Sequence, residues 1–363
     1  LPITVIVTVN PKPVATASPS AQTICSGGQT SISLSSNVSG TTYSWTVTQT
    51  GVTGASSGSG PFISETLTAT GITPGTAVYL ITPAAPCLGT PISVTITVKP
   101  SPVATATPSS QTICTGSPIS ILLTSNISGT TFAWTVVQTG GVTGASNRTG
   151  NSIAQTLSTG STNGTAVYTI TPTANGCAGP TIDVTITVNA SPTATATPAT
   201  STLCSGQSTG ITLTSTLPGT IYSWTVSQNG ATGATNGTGS VISQVLTSTS
   251  PTALGTVIYT ITPSANGSVG AVITATVTVT PSPTATATTP TTPYSICSSG
   301  TTNIALTSNL PGTIFTWNVV QTNVMGASQG KGNLIAQTLT ATSTGKAVYV
   351  IVPSTNGCPG APV

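Results

Sequence analysis

The sequence predicts an all-β protein built of tandem sandwich domains. A unit of about 90 residues recurs four times, apolar and polar residues alternate with period two, and no segment has sustained helical periodicity. Each copy has an aromatic-x-Trp triplet that ends twenty residues after a cysteine. The tryptophans are Trp45, Trp134, Trp224 and Trp317, and the cysteines are Cys25, Cys114, Cys204 and Cys297. A chain that multiplies a module without multiplying a reactive residue gains length or valency.

The strand pattern is clearest in the second copy. Its alternating runs are 103–107, 120–124, 132–136, 153–157, 166–170 and 184–188. Gly, Asn, Ser and Pro separate these runs, as expected for turns. About seven strands in some 90 residues, with one Trp on the third strand, describe an immunoglobulin-like sandwich.

Proline marks the junctions between copies, near Pro11, Pro100, Ala190 and Pro281. We therefore predict four domains, called repeats 1 to 4, at 11–99, 100–189, 190–280 and 281–363, the last without its final strand. Because proline stiffens each connection and no Gly/Ser linker intervenes, the domains should stack as a semi-rigid rod.

Residues 1–10 match the last strand of a repeat whose body is not in this sequence. One interpretation is that the sequence is an excerpt from a longer tandem array, in which these residues end the preceding repeat. The other is strand exchange, in which residues 1–10 of one molecule complete residues 281–363 of another.

The aromatic residues are predicted to belong to the core and not to a sugar-stacking surface. A tyrosine recurs in Gly-Thr-Ala-Val-Tyr and related segments, and it looks like the tyrosine corner that precedes strand F of immunoglobulin-like sandwiches. These residues are Tyr79, Tyr168, Tyr259 and Tyr349, which join the four tryptophans as predicted core aromatics.

Several phrases recur along nearly the whole chain: Thr-Ile-Cys-Ser/Thr-Gly, Phe/Tyr-x-Trp-Thr-Val, Thr-Gly-Ala-Ser, Ile-Ala-Gln-Thr-Leu, Ala-Val-Tyr and Asn-Gly-Cys. Together they resemble the PKD-like repeats of Bacteroidota. The resemblance implies a very long secreted surface protein, of the adhesin or gliding-associated kind, exported by type IX secretion. It implies no enzymatic role. The Trp-Asp-Phe-Gly-Asp-Gly signature of ordinary PKD domains does not occur.

Charge is almost absent from the sequence. The 363 residues include five basic and two acidic side chains and no histidine, whereas about a quarter of the residues in a typical soluble domain are charged. The basic residues form no cluster, which argues against nucleic acid and anionic membranes as partners. No apolar run approaches the length of about 18 residues that a membrane span needs.

No catalytic, cofactor-binding or metal site is predicted. The only acids, Glu65 and Asp183, stand where other repeats have Gln, Ser or Thr, and both are interpreted as surface substitutions. Without histidine, the many Ser and Thr hydroxyls have no usual activating base. No CxxC spacing indicates zinc, and two isolated acids cannot form a calcium site. The chain is therefore predicted not to be an enzyme.

The seven cysteines indicate an oxidising compartment and leave two pairing schemes open. Pairing within repeats would give Cys25–Cys87, Cys114–Cys177 and Cys297–Cys358. The turn before strand B and the turn after strand F, however, lie at opposite ends of a sandwich, about 25–30 Å apart. A head-to-tail stack would instead join Cys25 to Cys177 and Cys204 to Cys358. In this favoured scheme, Cys87 and Cys297 form disulfides with units outside the chain. Cys114 then has no cysteine partner and faces Ser268.

The sequence thus predicts a structural, non-enzymatic stalk or filament segment of an extracellular protein on a bacterial cell surface. The expected partners are adjacent repeats or other copies of the chain. The alternative is a multivalent glycan-binding module of a secreted protein, whose repeated loops, such as Thr53-Gly54-Ala55-Ser56, contact surface glycans.

Overall fold

The computed structural model of the chain describes residues 3–290 and 294–363, and their regular secondary structure is all β-strand. Residues 1 and 2 of the predicted strand 1–10, and residues 291–293 of repeat 4, lie outside the described residues. The chain divides into two compact units, Leu1–Asn189 and Ala190–Val363. The predicted fold class, tandem immunoglobulin-like sandwiches, is confirmed.

Repeat 1 is a sandwich of a three-stranded sheet and a larger sheet, β1-β4-β8 and β2-β12-β10-β5-β7, with β11 on β10 and with β3-β9-β6 beside them. Its strands are β1 (Ala15–Ser18), β2 (Ala21–Cys25), β3 (Gly28–Gln29), β4 (Ile32–Ser36), β5 (Thr42–Thr50), β6 (Val52–Thr53), β7 (Gly58–Ser59), β8 (Phe62–Ile63), β9 (Thr66–Ala69), β10 (Gly75–Ala85), β11 (Cys87–Leu88) and β12 (Ile92–Lys99).

Repeat 2 has the same two sheets, in the orders β13-β15-β18 and β14-β21-β19-β16-β17, with β20 on β19. Its strands are β13 (Ala104–Thr107), β14 (Ser110–Cys114), β15 (Ser117–Ser125), β16 (Thr131–Thr139), β17 (Arg148–Thr149), β18 (Ser152–Leu157), β19 (Gly164–Ala174), β20 (Cys177–Ala178) and β21 (Ile182–Asn189).

Repeat 3 again has two main sheets, β22-β25-β29 and β23-β33-β31-β26-β28, with β32 on β31 and with β24-β30-β27 beside them. Its strands are β22 (Thr195–Thr197), β23 (Thr200–Cys204), β24 (Gln207–Ser208), β25 (Ile211–Thr214), β26 (Ile221–Asn229), β27 (Ala231–Thr232), β28 (Gly237–Thr238), β29 (Val241–Ile242), β30 (Val245–Ser248), β31 (Gly255–Ala265), β32 (Ser268–Val269) and β33 (Ile273–Thr280).

Repeat 4 has a smaller main sheet, β38-β37-β41-β42, which packs with β34-β36-β39, while β35 pairs with β40. Its strands are β34 (Ala285–Thr288), β35 (Gly300–Thr301), β36 (Ile304–Ser308), β37 (Ile314–Thr322), β38 (Gly330–Lys331), β39 (Leu334–Ile335), β40 (Thr338–Leu339), β41 (Lys346–Thr355) and β42 (Cys358–Pro359). Within the described residues, repeat 4 has no strand at the position of β2, and the counterpart of β12 would begin at Val363, the last residue of the sequence.

The central strand of each main sheet organises the core. In repeat 1, β10 lies between β5 and β12, and Ala77, Tyr79 and Ile81 on its inner face are fully buried. Alternation along the strand produces this pattern because successive side chains point to opposite faces of a sheet. The four tryptophans lie on the neighbouring strand and are 4–8% exposed.

The sequence pattern did not indicate strand β2. Its residues, Ala21–Cys25, pair in parallel with the end of β12, in a register that sets Cys25 opposite Lys99. Parallel pairing of two strands in one small domain is a long-range feature, because it depends on where the chain returns and not on local alternation. This register places Cys25 beside the end of β12, where the chain leaves the repeat.

Residues 3–10 form no strand in this chain, and the side chains of Ile3, Val5, Ile6, Val7 and Val9 are 77–91% exposed. Their predicted pairing with a neighbouring repeat or with a second molecule stays a prediction.

One glycine of each repeat makes a close backbone approach to the segment that enters the repeat. In repeat 2, the Gly179 amide donates to the Pro172 carbonyl at 2.9 Å, and a Cβ at Gly179 would overlap the carbonyl oxygen of Pro102. The corresponding pairs in the other repeats are Gly89 with Pro13, Gly270 with Pro192, and Gly360 with Pro283. The glycine therefore fixes the path of the entering chain.

We expect Gly179→Ala to destabilise repeat 2 by about 1–3 kcal/mol, since the added methyl must displace the Pro102 backbone. Gly160→Ala is the control, because a Cβ at Gly160 meets no atom within 4 Å. Thermal unfolding followed by calorimetry should show a lower transition temperature for Gly179→Ala alone. Equal stabilities of the two variants would contradict the close approach.

Candidate functional site: the joint between neighbouring repeats

Two disulfides join neighbouring repeats. Cys25 of repeat 1 is bonded to Cys177 of repeat 2, and Cys204 of repeat 3 is bonded to Cys358 of repeat 4. Their Cα–Cα separations, 5.6 and 5.4 Å, lie within the ordinary range for a disulfide. Cys177 and Cys358 are buried, and Cys25 and Cys204 are half-buried. These bonds are the site that we consider functionally important.

The length of the central strand separates the two cysteine positions of one repeat. Cys25 lies opposite Lys99, near the Gly75 end of β10, whereas Cys87 pairs with Ala85 at the far end of β10. Ten residue steps of about 3.3 Å put these ends roughly 33 Å apart. A disulfide between Cys25 and Cys87 is therefore impossible in this fold.

A short continuous path brings Cys25 and Cys177 together in unit Leu1–Asn189. Lys99, opposite Cys25, is followed directly by Pro100-Ser101-Pro102, in which both prolines are buried. Pro102 packs against Gly179, two residues after Cys177. The Lys99 ammonium group also donates to the carbonyl oxygen of Asn175 at 3.0 Å.

A tight hairpin turn places Cys177 beside the Pro100-Ser101-Pro102 segment. Asn175 and Gly176 have φ values of 53° and 81° and connect Ala174 of β19 to Cys177 of β20. Asn-Gly is the preferred sequence for such two-residue turns, because both residues accept a positive φ at low cost. The sequence Asn-Gly-Cys therefore forms a tight turn that places a cysteine at the end of the sheet.

Unit Ala190–Val363 contains the same arrangement. Cys204 lies opposite Thr280, which is followed by Pro281-Ser282-Pro283, and Pro283 packs against Gly360, two residues after Cys358. Asn356 and Gly357 form the corresponding turn, with φ values of 47° and 79°. Because the same contacts recur in both units, they follow from the repeat sequence.

The other three cysteines belong to neither disulfide. Cys87 is half-buried in β11, with its sulfur 3.9 Å from the carbonyl oxygen of Asn10. Cys114, at the end of β14, is also half-buried, and Cys297 is exposed. The predicted bonds of Cys87 and Cys297 to units outside the chain stay predictions.

A polar network inside each repeat holds the loop that follows the Trp strand. In repeat 2, the Tyr168 hydroxyl donates to Gln155 Oε1 at 2.7 Å, and Gln155 Nε2 donates to the Ser146 carbonyl at 2.9 Å. The Trp134 indole donates to the same carbonyl at 3.2 Å. Tyr168 is fully buried, and burial raises its pKa to about 12, so its hydroxyl stays a donor. Its acceptor is a side chain, unlike the backbone acceptor of the tyrosine corner it was expected to resemble.

Glu65 takes the place of this glutamine in repeat 1, and its interpretation as a simple surface substitution was wrong. It is half-buried and accepts hydrogen bonds from the Tyr79 hydroxyl and from the amide and hydroxyl of Ser56. Burial, then the hydrogen bond to Glu65 and its negative charge, raise the pKa of Tyr79. Asp183, in contrast, is exposed and accepts from the Thr169 hydroxyl at 2.7 Å.

The Thr-Gly-Ala-Ser loops, the candidate glycan contacts, are tied to their own domains. Gln49 clamps Ala55 through two hydrogen bonds, from its Nε2 to the Ala55 carbonyl at 2.9 Å and from the Ala55 amide to its Oε1 at 3.1 Å. Gln228 clamps Ala234 and Gln321 clamps Ala327 in the same way. The amide and the carbonyl of each of these alanines are therefore already hydrogen-bonded within their own domain.

Residues 3–290 and 294–363 contain no group of three or more His, Cys, Asp or Glu side chains that could hold a metal ion. No helix among these residues has the length and hydrophobicity to cross a membrane.

The two-sheet topology and its repetition define a tandem immunoglobulin-like protein. A sequence profile of the PKD-like domain matches residues 22–102, 111–192, 201–283 and 294–363. The chain therefore belongs to the PKD-like domain family. No curated protein sequence matches it, and the family match indicates no enzyme family.

Solved structures of other tandem domains are similar at low sequence identity. Mouse cadherin-23 EC22-24 is 10% identical, with a TM-score of 0.32, over 75% of this chain and 99% of that one. Three N-terminal domains of the bacteriophage RB49 Highly Immunogenic Outer Capsid protein are 10% identical, with a TM-score of 0.34, over 74% and 97%. The family assignment rests on the sequence profile alone.

Gln155→Leu should cost about 2–3 kcal/mol of unfolding free energy, because it leaves the buried Tyr168 hydroxyl without its acceptor. Tyr168→Phe should cost about 1 kcal/mol, since Gln155 Oε1 keeps the Ser146 amide as a donor at 3.1 Å. Urea unfolding of both variants and of the double variant forms a thermodynamic cycle. The double variant should lose less than the sum, and strict additivity would show that the pair does not interact.

Proposed function

We propose that this chain is a non-enzymatic structural segment of an extracellular bacterial surface protein, forming part of the shaft of an adhesin or fibre. The observation that carries the proposal is that the disulfides connect successive repeats. A disulfide inside a domain stabilises that domain, whereas one between domains restrains their separation. The proposal includes the division into repeats at 11–99, 100–189, 190–280 and 281–363.

The proposed location is the bacterial cell surface. Disulfides and immunoglobulin-like repeats are typical of extracellular proteins, and membership of the PKD-like family agrees with this setting. The recurrent phrases resemble repeats of secreted Bacteroidota proteins, so type IX secretion is the proposed export route.

The covalent path along the chain supports a mechanical role. The Cys25–Cys177 bond spans 152 residue positions, and the Cys204–Cys358 bond spans 154. A pulling force applied to the chain ends passes through these bonds and bypasses the residues between them. The residues between the bonded cysteines can lose their packing without being extended by the force.

The joints and the surface composition support the proposal of a stiff rod that associates with other copies of the chain. Buried prolines at 100, 102, 281 and 283 restrict the connections inside the two units. With seven charged residues in 363, the surface is mostly neutral and rich in hydroxyl groups. Neutral strand edges lack the charge repulsion that usually keeps proteins apart. Other copies of the chain are therefore the proposed partners.

Single-molecule force extension tests this role. With the disulfides intact, we expect the residues between Cys25 and Cys177 to stay unextended, which hides about 540 Å of contour at roughly 3.6 Å per residue. The double variant Cys25→Ser/Cys177→Ser should release that length. Cys297→Ser is the control, since Cys297 belongs to neither disulfide. Full extension of the unmodified, unreduced chain would contradict this mechanical role.

A glycan array tests the alternative, a multivalent glycan-binding module. We expect no binding, because the Thr-Gly-Ala-Ser loops are clamped to their own domains. A glycan that binds the whole chain and loses affinity in Ser56→Ala and in the corresponding Ser146→Ala would favour the alternative. Ser201→Ala, on strand β23, is the control.

A further inference from the structure

The outer face of the main sheet, which points away from the core, has a pair of valines in two of the repeats. In repeat 2, Val137 of β16 lies opposite Val167 of β19, and in repeat 4, Val320 of β37 lies opposite Val348 of β41. Val137 is 65% exposed and Val320 is 64% exposed. The corresponding pairs in the other two repeats are Thr48 with Val78 and Ser227 with Ile258. Two repeats therefore present an apolar pair to water where the others have a hydroxyl group.

The exposure of these valines follows from the face on which they lie. Side chains alternate between the two faces of a strand, and residues directly opposite each other on neighbouring strands share a face. Leu80 lies on the same outer face of β10, which has a strand on each side, and it is 47% exposed, as Val348 is. The valine pairs are therefore a property of the sheet surface.

The two outer faces carry charges of opposite sign. In repeat 2, Asp183 of β21 lies one row of side chains from the valine pair, whereas Arg148 pairs with Trp134 and so belongs to the other face. In repeat 4, Lys346 of β41 lies one row from the valine pair, and Lys331 of β38 lies two rows away on the other side. Asp183 and both lysines are exposed. We call Val137, Val167 and Asp183 the repeat 2 face, and Val320, Val348, Lys331 and Lys346 the repeat 4 face.

The spacing of a β-sheet brings these charges together when the two faces pack. Suppose that one valine pair lies on the other with equivalent strands parallel. Lys331 is then one row from Asp183 in the plane of the sheets, or about 7 Å. If the strands are antiparallel, Lys346 is one strand from Asp183, or about 5 Å. In either orientation, a flexible lysine side chain of the repeat 4 face can reach the aspartate.

No other pairing of the outer faces has both features. Two repeat 4 faces would bring together four lysines and no acid, and two repeat 2 faces would bring together two aspartates. The outer faces of repeats 1 and 3 have no valine pair. Apolar contact combined with opposite charge favours one pairing and disfavours the others. Because one chain carries both faces, every copy offers both halves of the contact.

We propose that copies of this chain associate side by side through these two faces. The valine pair of repeat 2 in one copy packs on the valine pair of repeat 4 in another, and Asp183 of the first pairs with Lys331 or Lys346 of the second. The inference rests on the proposed function and deepens it, because it names the surface through which the copies associate.

The size of the faces sets the strength of the association. Three strands of seven residues cover roughly 350 Å² on each copy, whereas a stable complex buries about 800 Å² per partner. A single contact is therefore weak, and it forms where many chains are held at high local concentration.

Carbodiimide cross-linking of the concentrated full chain tests the contact, because the reagent joins a carboxylate to an amine without a spacer. Asp183 and Glu65 are the only acidic side chains, so the products are few. From a mixture of ¹⁵N-labelled and unlabelled chains, mass spectrometry should find Asp183 joined to Lys331 or Lys346, with one labelled and one unlabelled partner. Asp183 linked equally to the exposed Lys12, or linked only within one chain, would overturn the proposal.

The variant Val137→Thr tests the apolar part of the contact. Repeat 1 has Thr48 at this position, so the change should leave repeat 2 folded, which thermal unfolding checks. We expect a severalfold lower yield of the mixed-label Asp183 cross-links. Val78→Thr is the matched control, since it makes the same change on the outer face of repeat 1, and it should leave the yield unchanged. Equal yields from the two variants would overturn the packing of the valine pairs. Neither experiment bears on the force measurement, which reports on disulfides inside one chain.

Discussion

The length of the central strand is the constraint on which the joints depend. It sets the turn after β10 and the end of β2 at opposite ends of the same sheet, so the two cysteines of one repeat can never meet. A disulfide formed by either cysteine therefore needs a partner on another domain. The Pro-Ser-Pro segment and the glycine that packs on it then bring the partner cysteine to within 5.6 Å, Cα to Cα. The geometry of one strand therefore determines the covalent connectivity of each unit.

Among the described residues, uncharged polar groups supply most of the side-chain contacts that hold the loops and the buried hydroxyls in place. The buried tyrosine hydroxyls, the tryptophan indoles and the clamped loops are satisfied by glutamine side chains and backbone carbonyls. These bonds depend little on salt or pH, because no charge is formed or lost in them. Glu65 is the exception, since it brings a carboxylate to a position where repeats 2 to 4 have an amide. In the extracellular fibre proposed above, such neutral bonds would persist under variable ionic conditions.

Much of the fold could be predicted from local patterns, whereas the site depended on topology. Alternation in runs such as 132–136 and 184–188 indicated β16 and β21 because burial on one face of a sheet imposes period two. Strand β2 and the role of Glu65 were missed, since each depends on residues distant in sequence: β2 on β12, and Glu65 on Tyr79. The approach of Gly179 to Pro102 was missed for the same reason. The sequence alone does not show which backbone segment packs against a given glycine.

The disulfides also change what a broken peptide bond does to the protein. A protease that cuts once between Cys25 and Cys177 leaves both pieces attached, because the bond between those residues bridges the cut. The same is true between Cys204 and Cys358. Outside these two loops, a single cut severs the chain. Most of its length is therefore redundantly connected, and a protein exposed to the proteases of its surroundings could be nicked many times before it loses continuity.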